Sequence, residues 1–206
     1  MDRKQHWEQV YAEKNAKEVS WYQAHPEISL ELIKTSQQKK GIIDVGGGAS
    51  VLIDKLLESA YQNLAVLDIS AAALRIAQQR LGQNATQIQW IESDVTQFKA
   101  TEQFNLWHDR AVFHFLTEKS DRAAYLQVLR NSLKPGGCVI MAAFAIAGPE
   151  KCSGLDIVQY DAEKLLKELN GQHAGKFTLQ EQVSENHKTP TGKIQAFTYY
   201  RMQRTA

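Results

Sequence analysis

The sequence predicts a doubly wound α/β fold, a mostly parallel seven-stranded sheet with helices on both faces. Three observations carry that prediction. Ile42, Ile43 and Val45 form a β-branched run, as expected of a parallel strand covered on both sides. Gly46-Gly47-Gly48 interrupts the run, and Val51, Leu52, Leu56 and Leu57 then recur at helical spacing, so a glycine turn joins a strand to a helix. Strands and helices then alternate along the chain, which specifies parallel strands joined by right-handed crossovers.

The elements follow in order. Trp7, Val10 and Tyr11 mark one face of an amphipathic helix over residues 3–15. A second helix starts after His25-Pro26, where proline suits a first helical turn and Ile28, Leu30, Leu32 and Ile33 follow. Ser20-Trp21-Tyr22 lies between the two. Beyond the glycine turn come a strand over 63–68, a helix over 71–81, a strand over 87–92 and a fourth strand from 103 to 108, which runs on into the polar residues Asp109 and Arg110. The spacing of Tyr125, Leu126, Val128, Leu129 and Leu133 predicts a helix over 121–133, which Pro135-Gly136-Gly137 breaks. A buried strand over 138–144 follows, then an aperiodic stretch over 145–155 of the kind that builds lids. A helix over 161–169 and two alternating strands, 176–183 and 194–202, complete the chain, with Asn186 to Gly192 as the connecting loop.

The acid before the glycines discriminates between ligands. Gly46 and Gly48 fit a dinucleotide-binding turn, but Val51 stands where its third glycine would be. Asp44 would also repel a diphosphate, whereas it would attract an ammonium or sulfonium group. That favours S-adenosylmethionine over a nicotinamide dinucleotide.

Four stretches together resemble the class I S-adenosylmethionine-dependent methyltransferases. Asp44-Val45-Gly46-Gly47-Gly48 is similar to the first motif, and Leu64 to Ser70 to the second strand with the acid that holds the ribose hydroxyls, Asp68 followed by Ile69. Ser93-Asp94-Val95 is similar to the adenine-contacting turn, and Leu133-Lys134-Pro135-Gly136-Gly137 to the turn before the fifth strand. Ser50 departs from the pattern, since many members carry glycine there. The resemblance implies the strand order 3-2-1-4-5-7-6, S-adenosyl-L-methionine as cofactor and in-line methyl transfer. It also implies that Trp7 and Tyr11 close over the cofactor; the alternative is that they only fasten the first helix to the sheet. For Asp68 the alternative is a cap on the following helix, a part Ser70 could also take.

Bulk composition narrows the partners. A chain of 206 residues with 43% hydrophobic content suits a single domain with its own core. The expected organisation is one domain over 1–206, with a helical cover (1–36), a cofactor-binding core (40–145) and a lid, helix and antiparallel hairpin (146–206). Lys and Arg number 24 against 23 Asp and Glu, a net charge of +1, so there is no global field to recruit nucleic acid or an anionic membrane. The expected acceptor is a small molecule or a protein side chain. Met1 to Glu8 lacks the apolar run of an export signal, which leaves the cytoplasm as the expected location.

Methyl transfer from a sulfonium needs alignment, a dry pocket and at most the removal of a proton. His108, at the end of the fourth strand, is the candidate base, with the alternative that it merely closes the strand. Arg110 would lie beside it near the cofactor. Tyr22, His114, Cys152 in the lid and His187 in the last loop are candidate substrate contacts, each with a plain packing or loop alternative. His108, Asp109 and His114 are close in sequence but do not complete a ligand shell, so no metal is expected.

Overall fold

The computed structural model describes residues 2–171 and 176–205. Met1, part of the N-terminal stretch considered above, lies outside them. Among the described residues there are six α-helices and nine strands: α1 (Arg3–Glu13), α2 (Glu27–Thr35), β1 (Lys40–Val45), α3 (Leu52–Glu58), β2 (Gln62–Asp68), α4 (Ala71–Leu81), β3 (Ile88–Glu92), β4 (Phe104–Arg110), α5 (Lys119–Ser132), β5 (Leu133–Phe144), β6 (Lys151–Cys152), β7 (Leu155–Asp156), α6 (Ala162–Asn170), β8 (Phe177–Lys188) and β9 (Ile194–Arg204). Seven of the strands make one sheet in the order β3-β2-β1-β4-β5-β9-β8. This is the expected topology, the shift in numbering arising because β6 and β7 form a separate small hairpin. The first five strands pair in parallel, and β9 is antiparallel to both β5 and β8.

Alternation along β1 divides the core. Ile43 and Val45 join Trp107, Tyr125, Leu129 and Leu165 on the face covered by α5 and α6. Ile42 joins Leu32, Leu52, Leu56 and Leu106 on the face covered by α2 and α3. A strand apolar at nearly every position is what two covered faces demand. Helix α1 is different, because Val10 is its one buried residue. Polar contacts dock it instead: Glu8 accepts from the backbone N–H groups of Ala71 (2.6 Å) and Ala72 (3.2 Å), and Arg3 pairs with Asp94 and Asp121, both at 3.1 Å. No helix among the described residues is long and apolar enough to cross a membrane.

Several boundaries move. The last hairpin is longer than the sequence suggests, since Asn186, His187 and Lys188 pair with Ala196, Gln195 and Ile194, and the turn shrinks to 189–193. Backbone ladder bonds hold residues whose polarity alone reads as loop. The lid stretch contains the β6–β7 hairpin, turned at Ser153 (φ 51°) and Gly154 (φ 80°), two successive positive φ values suited to a two-residue hairpin turn. His114 lies in a single 3₁₀ turn, Phe113–Phe115, ahead of α5.

Candidate active site

Strands β1, β2 and β4 end together at the point where the sheet order reverses, and a crevice opens there. The glycine loop forms its floor. Gly46 has φ +67°, and a Cβ on it would run into Val112. A Cβ on Gly47 would strike the Asp44 carboxylate, so backbone must lie directly against that acid. Arg80 of α4 braces the loop from behind, donating to the carbonyls of Ala49 (3.0 Å) and Ser50 (2.6 Å) and gripping Asp54.

Asp68 ends β2 at 6% exposure. One carboxylate oxygen accepts from the Gly48 N–H at 3.0 Å and the other from the Ser70 N–H at 2.9 Å. Burial raises its pKa to about 7 against the pull of those amides. The cap of α4 is Ser70, whose Oγ accepts from Ala73 N–H, together with Glu8. Asp94 caps the short Val95–Gln97 turn through Thr96 N–H at 2.9 Å and faces Arg3 across the crevice mouth.

A chamber opens above the glycine-loop floor. Asp68, Ile69, Asp94, Val95, Gly46 and Arg110 line it together with Trp7, Tyr11, Trp21 and Cys152. The aromatic wall is edge to face throughout, with Trp7 and Trp21 at 5.5 Å, Trp7 and Phe115 at 5.1 Å, and Trp21 Nε1 donating to the Tyr11 hydroxyl at 3.2 Å. A second recess shares Gly46, Tyr11, Trp21 and Arg110 with the first and continues to Tyr22, Gly47, Asp44 and His108.

The other candidates are placed as follows. His108 is 2% exposed, its Nδ1 2.7 Å from Asp44 Oδ1 and its Nε2 2.9 Å from Ser29 Oγ, so neither ring nitrogen is left for an acceptor in this geometry. Arg110 donates to the Tyr199 hydroxyl (2.7 Å) and the Trp21 carbonyl (2.9 Å), with Glu185 at 3.7 Å. Asp109 turns away from the crevice, accepting from Tyr125 OH at 2.5 Å and from the N–H groups of Val112 and Phe113. His114 is wholly buried against Phe115 and Phe144, lines neither chamber, and has its pKa lowered to about 3 by desolvation. His187 is on β8, 5% exposed, and donates from Nε2 to the Ser20 carbonyl, which puts it behind the crevice wall rather than at its opening. Cys152 lines the chamber, and burial raises its thiol pKa to about 11, so it is a protonated wall group. Among the described residues no group of three or more His, Cys, Asp and Glu is placed to hold a metal ion.

Arg3, Glu8, Ser29 and Arg80 are absent from the sequence-based list. Each acts on a partner far along the chain, and nothing local in the sequence marks such a pair. Trp21 was within reach, because Ser20-Trp21-Tyr22 is an aromatic pair in a polar stretch.

The residues present fit a cofactor that carries both a nucleoside and an ammonium group. Asp44 Oδ2 is buried without a hydrogen-bond partner, beside a backbone cradle that admits no side chain.

Comparison with known proteins agrees with this geometry. Residues 42–137 match the model of the methyltransferase domain family. Over 94 residues, 46% of the chain, the sequence is 24% identical to the eEF1A lysine and N-terminal methyltransferase of Mus musculus; the match spans only 14% of that protein, and 13% of its Bos taurus counterpart. The fold superposes on the N-methyltransferase NodS from Bradyrhizobium japonicum WM9 in complex with S-adenosyl-L-homocysteine, with a TM-score of 0.71, 20% identity and 100% of both chains covered. It also superposes on a methyltransferase from Anabaena variabilis with a TM-score of 0.74 and 16% identity, covering 99% of this chain and 96% of that one.

Proposed function

We propose that this chain is a class I Rossmann-like methyltransferase that moves a methyl group from S-adenosylmethionine to a small-molecule or protein side-chain acceptor, a reading supported by the match of residues 42–137 to the methyltransferase domain family and by the shared fold. The observation that carries the reading is the paired recess at the β1/β4 switch point, where the glycine loop, Asp44 and Asp68 meet an aromatic wall. When bound, the cofactor supplies an activated methyl group on a sulfonium.

The chain's residues do the rest. Asp68 is proposed to accept from the ribose hydroxyls, exchanging one of its amide contacts for them, while Ile69, Asp94 and Val95 flank the adenine. Gly46, Gly47 and Gly48 let the backbone approach the methionyl end. Trp7 and Tyr11, with Trp21, close over the crevice and exclude water, which strengthens every charge interaction inside. Arg110, Tyr22 and Cys152 border the space left for the acceptor. Alignment is the main demand, because an oriented pair of reactants contributes roughly 7–11 kcal/mol to lowering a barrier. One relative named above is an eEF1A lysine and N-terminal methyltransferase and one structural neighbour is an N-methyltransferase, which supports a nitrogen acceptor.

The test is incubation with methyl-labelled S-adenosylmethionine and a cell extract split into small molecules, protein and RNA. Label in the small-molecule or protein fraction is the expected result. Label in RNA alone, or in no fraction, overturns the acceptor assignment. Calorimetric titration with S-adenosylhomocysteine and with NAD checks the cofactor separately, with binding of the former alone expected.

A further inference from the structure

We propose that Ser29 and His108 are positioning residues whose hydrogen-bonded chain holds Asp44 as the receptor for the ammonium of the cofactor's methionyl end. The inference rests on the S-adenosylmethionine reading and assigns parts to residues of one recess.

Asp44 and His108 are register partners on the parallel strands β1 and β4, so their side chains leave the sheet on the same face. That face is covered by α2, which supplies Ser29. The result is a continuous chain: Asp44 Oδ1 to His108 Nδ1 at 2.7 Å, and His108 Nε2 to Ser29 Oγ at 2.9 Å. Exposures are 2%, 2% and 1%, so the chain is sealed from bulk water. A carboxylate can only accept, which places a ring proton on Nδ1, while Nε2 shares its hydrogen bond with the Ser29 hydroxyl. Every polar atom of the chain is then used except one. Asp44 Oδ2 is buried without a partner, pressed against Gly47, in the recess lined by Gly46, Gly47 and Ser50.

A buried carboxylate oxygen left unpaired carries a desolvation cost that a native structure meets with a donor. Here the donor must come from what fills the recess, and a carboxylate selects a cation. The ring fixes the carboxylate rotamer by occupying Oδ1, which keeps Oδ2 turned toward the glycine loop. His108 then acts through Asp44 and touches neither the methyl group nor the acceptor.

Two other roles make different forecasts. A purely structural chain, tying α2 to the sheet, would weaken all ligands alike when cut. A general base would change turnover and leave cofactor affinity as it was.

The experiment is calorimetric titration of S-adenosylhomocysteine and of 5′-methylthioadenosine, which keeps the nucleoside but lacks the amino-acid end, into the parent and into His108→Phe, His108→Asn and Ser29→Ala. For His108→Phe the expected result is S-adenosylhomocysteine affinity about 10- to 100-fold weaker, the scale of one hydrogen bond to a charged group, with 5′-methylthioadenosine changed by less than about threefold. His108→Asn keeps an N–H donor near the Nδ1 position and should recover most of the loss. Equal weakening of both ligands, or of neither, overturns the inference while leaving the cofactor reading intact. Should His108→Phe fail to fold, Ser29→Ala decides: a selective loss of about three- to tenfold for S-adenosylhomocysteine supports the chain, and an equal or absent loss overturns it. A parent that binds neither ligand overturns the cofactor reading and this inference with it.

Discussion

Asp68 accepts hydrogen bonds from Gly48 N–H and Ser70 N–H, yet burial still raises its pKa to about 7. Its folded pKa therefore exceeds the unfolded one, and the folded chain holds the extra proton between the two values. The stability it contributes is fully present below about pH 4 and is lost as pH rises through about 7. Asp109, raised to about 6 by burial, adds in the same direction. His114, lowered to about 3, works oppositely, its contribution being lost as pH falls from about 6.5 toward 3. Comparison with Asp68→Asn isolates the first effect: between pH 5 and 8 the thermal midpoint of the ligand-free parent should fall more steeply than that of the variant. Parallel slopes would remove Asp68 from the pH response. The same side chain makes a binding forecast. Asp68→Ala should weaken S-adenosylhomocysteine by about one to two decades, the scale of a lost charge-assisted bond, as read by calorimetry on folded protein. Unchanged affinity would refute the ribose assignment.

At the scale of elements, α1 is fastened by its charges more than by its core face. Glu8 caps the first amides of α4, Lys4 meets Glu92 at 2.5 Å, and Arg3 bridges Asp94 and Asp121. The same helix carries Trp7 and Tyr11 into the chamber lining, so the proposed closure over the cofactor would follow its docking. Glu8→Ala should cost about 1 kcal/mol of stability, as loss of a helix cap does, and should speed release of bound S-adenosylhomocysteine in stopped-flow experiments. Raised salt should speed release in the parent as well, because the Arg3 and Lys4 pairs are partly exposed and screened. Release rates that ignore both changes would detach α1 from gating. The sequence marked α1 by Trp7, Val10 and Tyr11 but not by Glu8, whose partners are more than sixty positions away.

For the whole molecule, a net charge of +1 gives no long-range attraction for a polyanion, so acceptor choice falls to the crevice walls. Transfer from a sulfonium also asks for no Lewis acid. Turnover, once an acceptor is in hand, should persist in EDTA; loss on chelation with recovery on adding magnesium or zinc would return His108, Asp109 and His114 to consideration as ligands.

The order of strands and helices was determined by the sequence alone, because the β-branched run at 42–45, the glycine turn and the apolar periodicities are local signals that a buried parallel sheet imposes on its own strands. Asp44, the glycines, Asp68 and Asp94 were legible for the same reason, each lying at a strand end where the crevice opens. Only the tertiary structure decided what those groups meet. His108 is a strand-end histidine in the sequence, and its ring becomes committed to Asp44 and Ser29 because parallel register sets residues 64 positions apart side by side and α2 folds over them. His187 looks like a loop residue until the pairing of β8 with β9 carries it behind the crevice wall, against the Ser20 carbonyl. Arg80 reaches the glycine loop only because the α4 crossover brings it back over α3. Side-chain partners across such distances are chosen by packing, and packing is a property of the assembled sheet that no window of sequence contains.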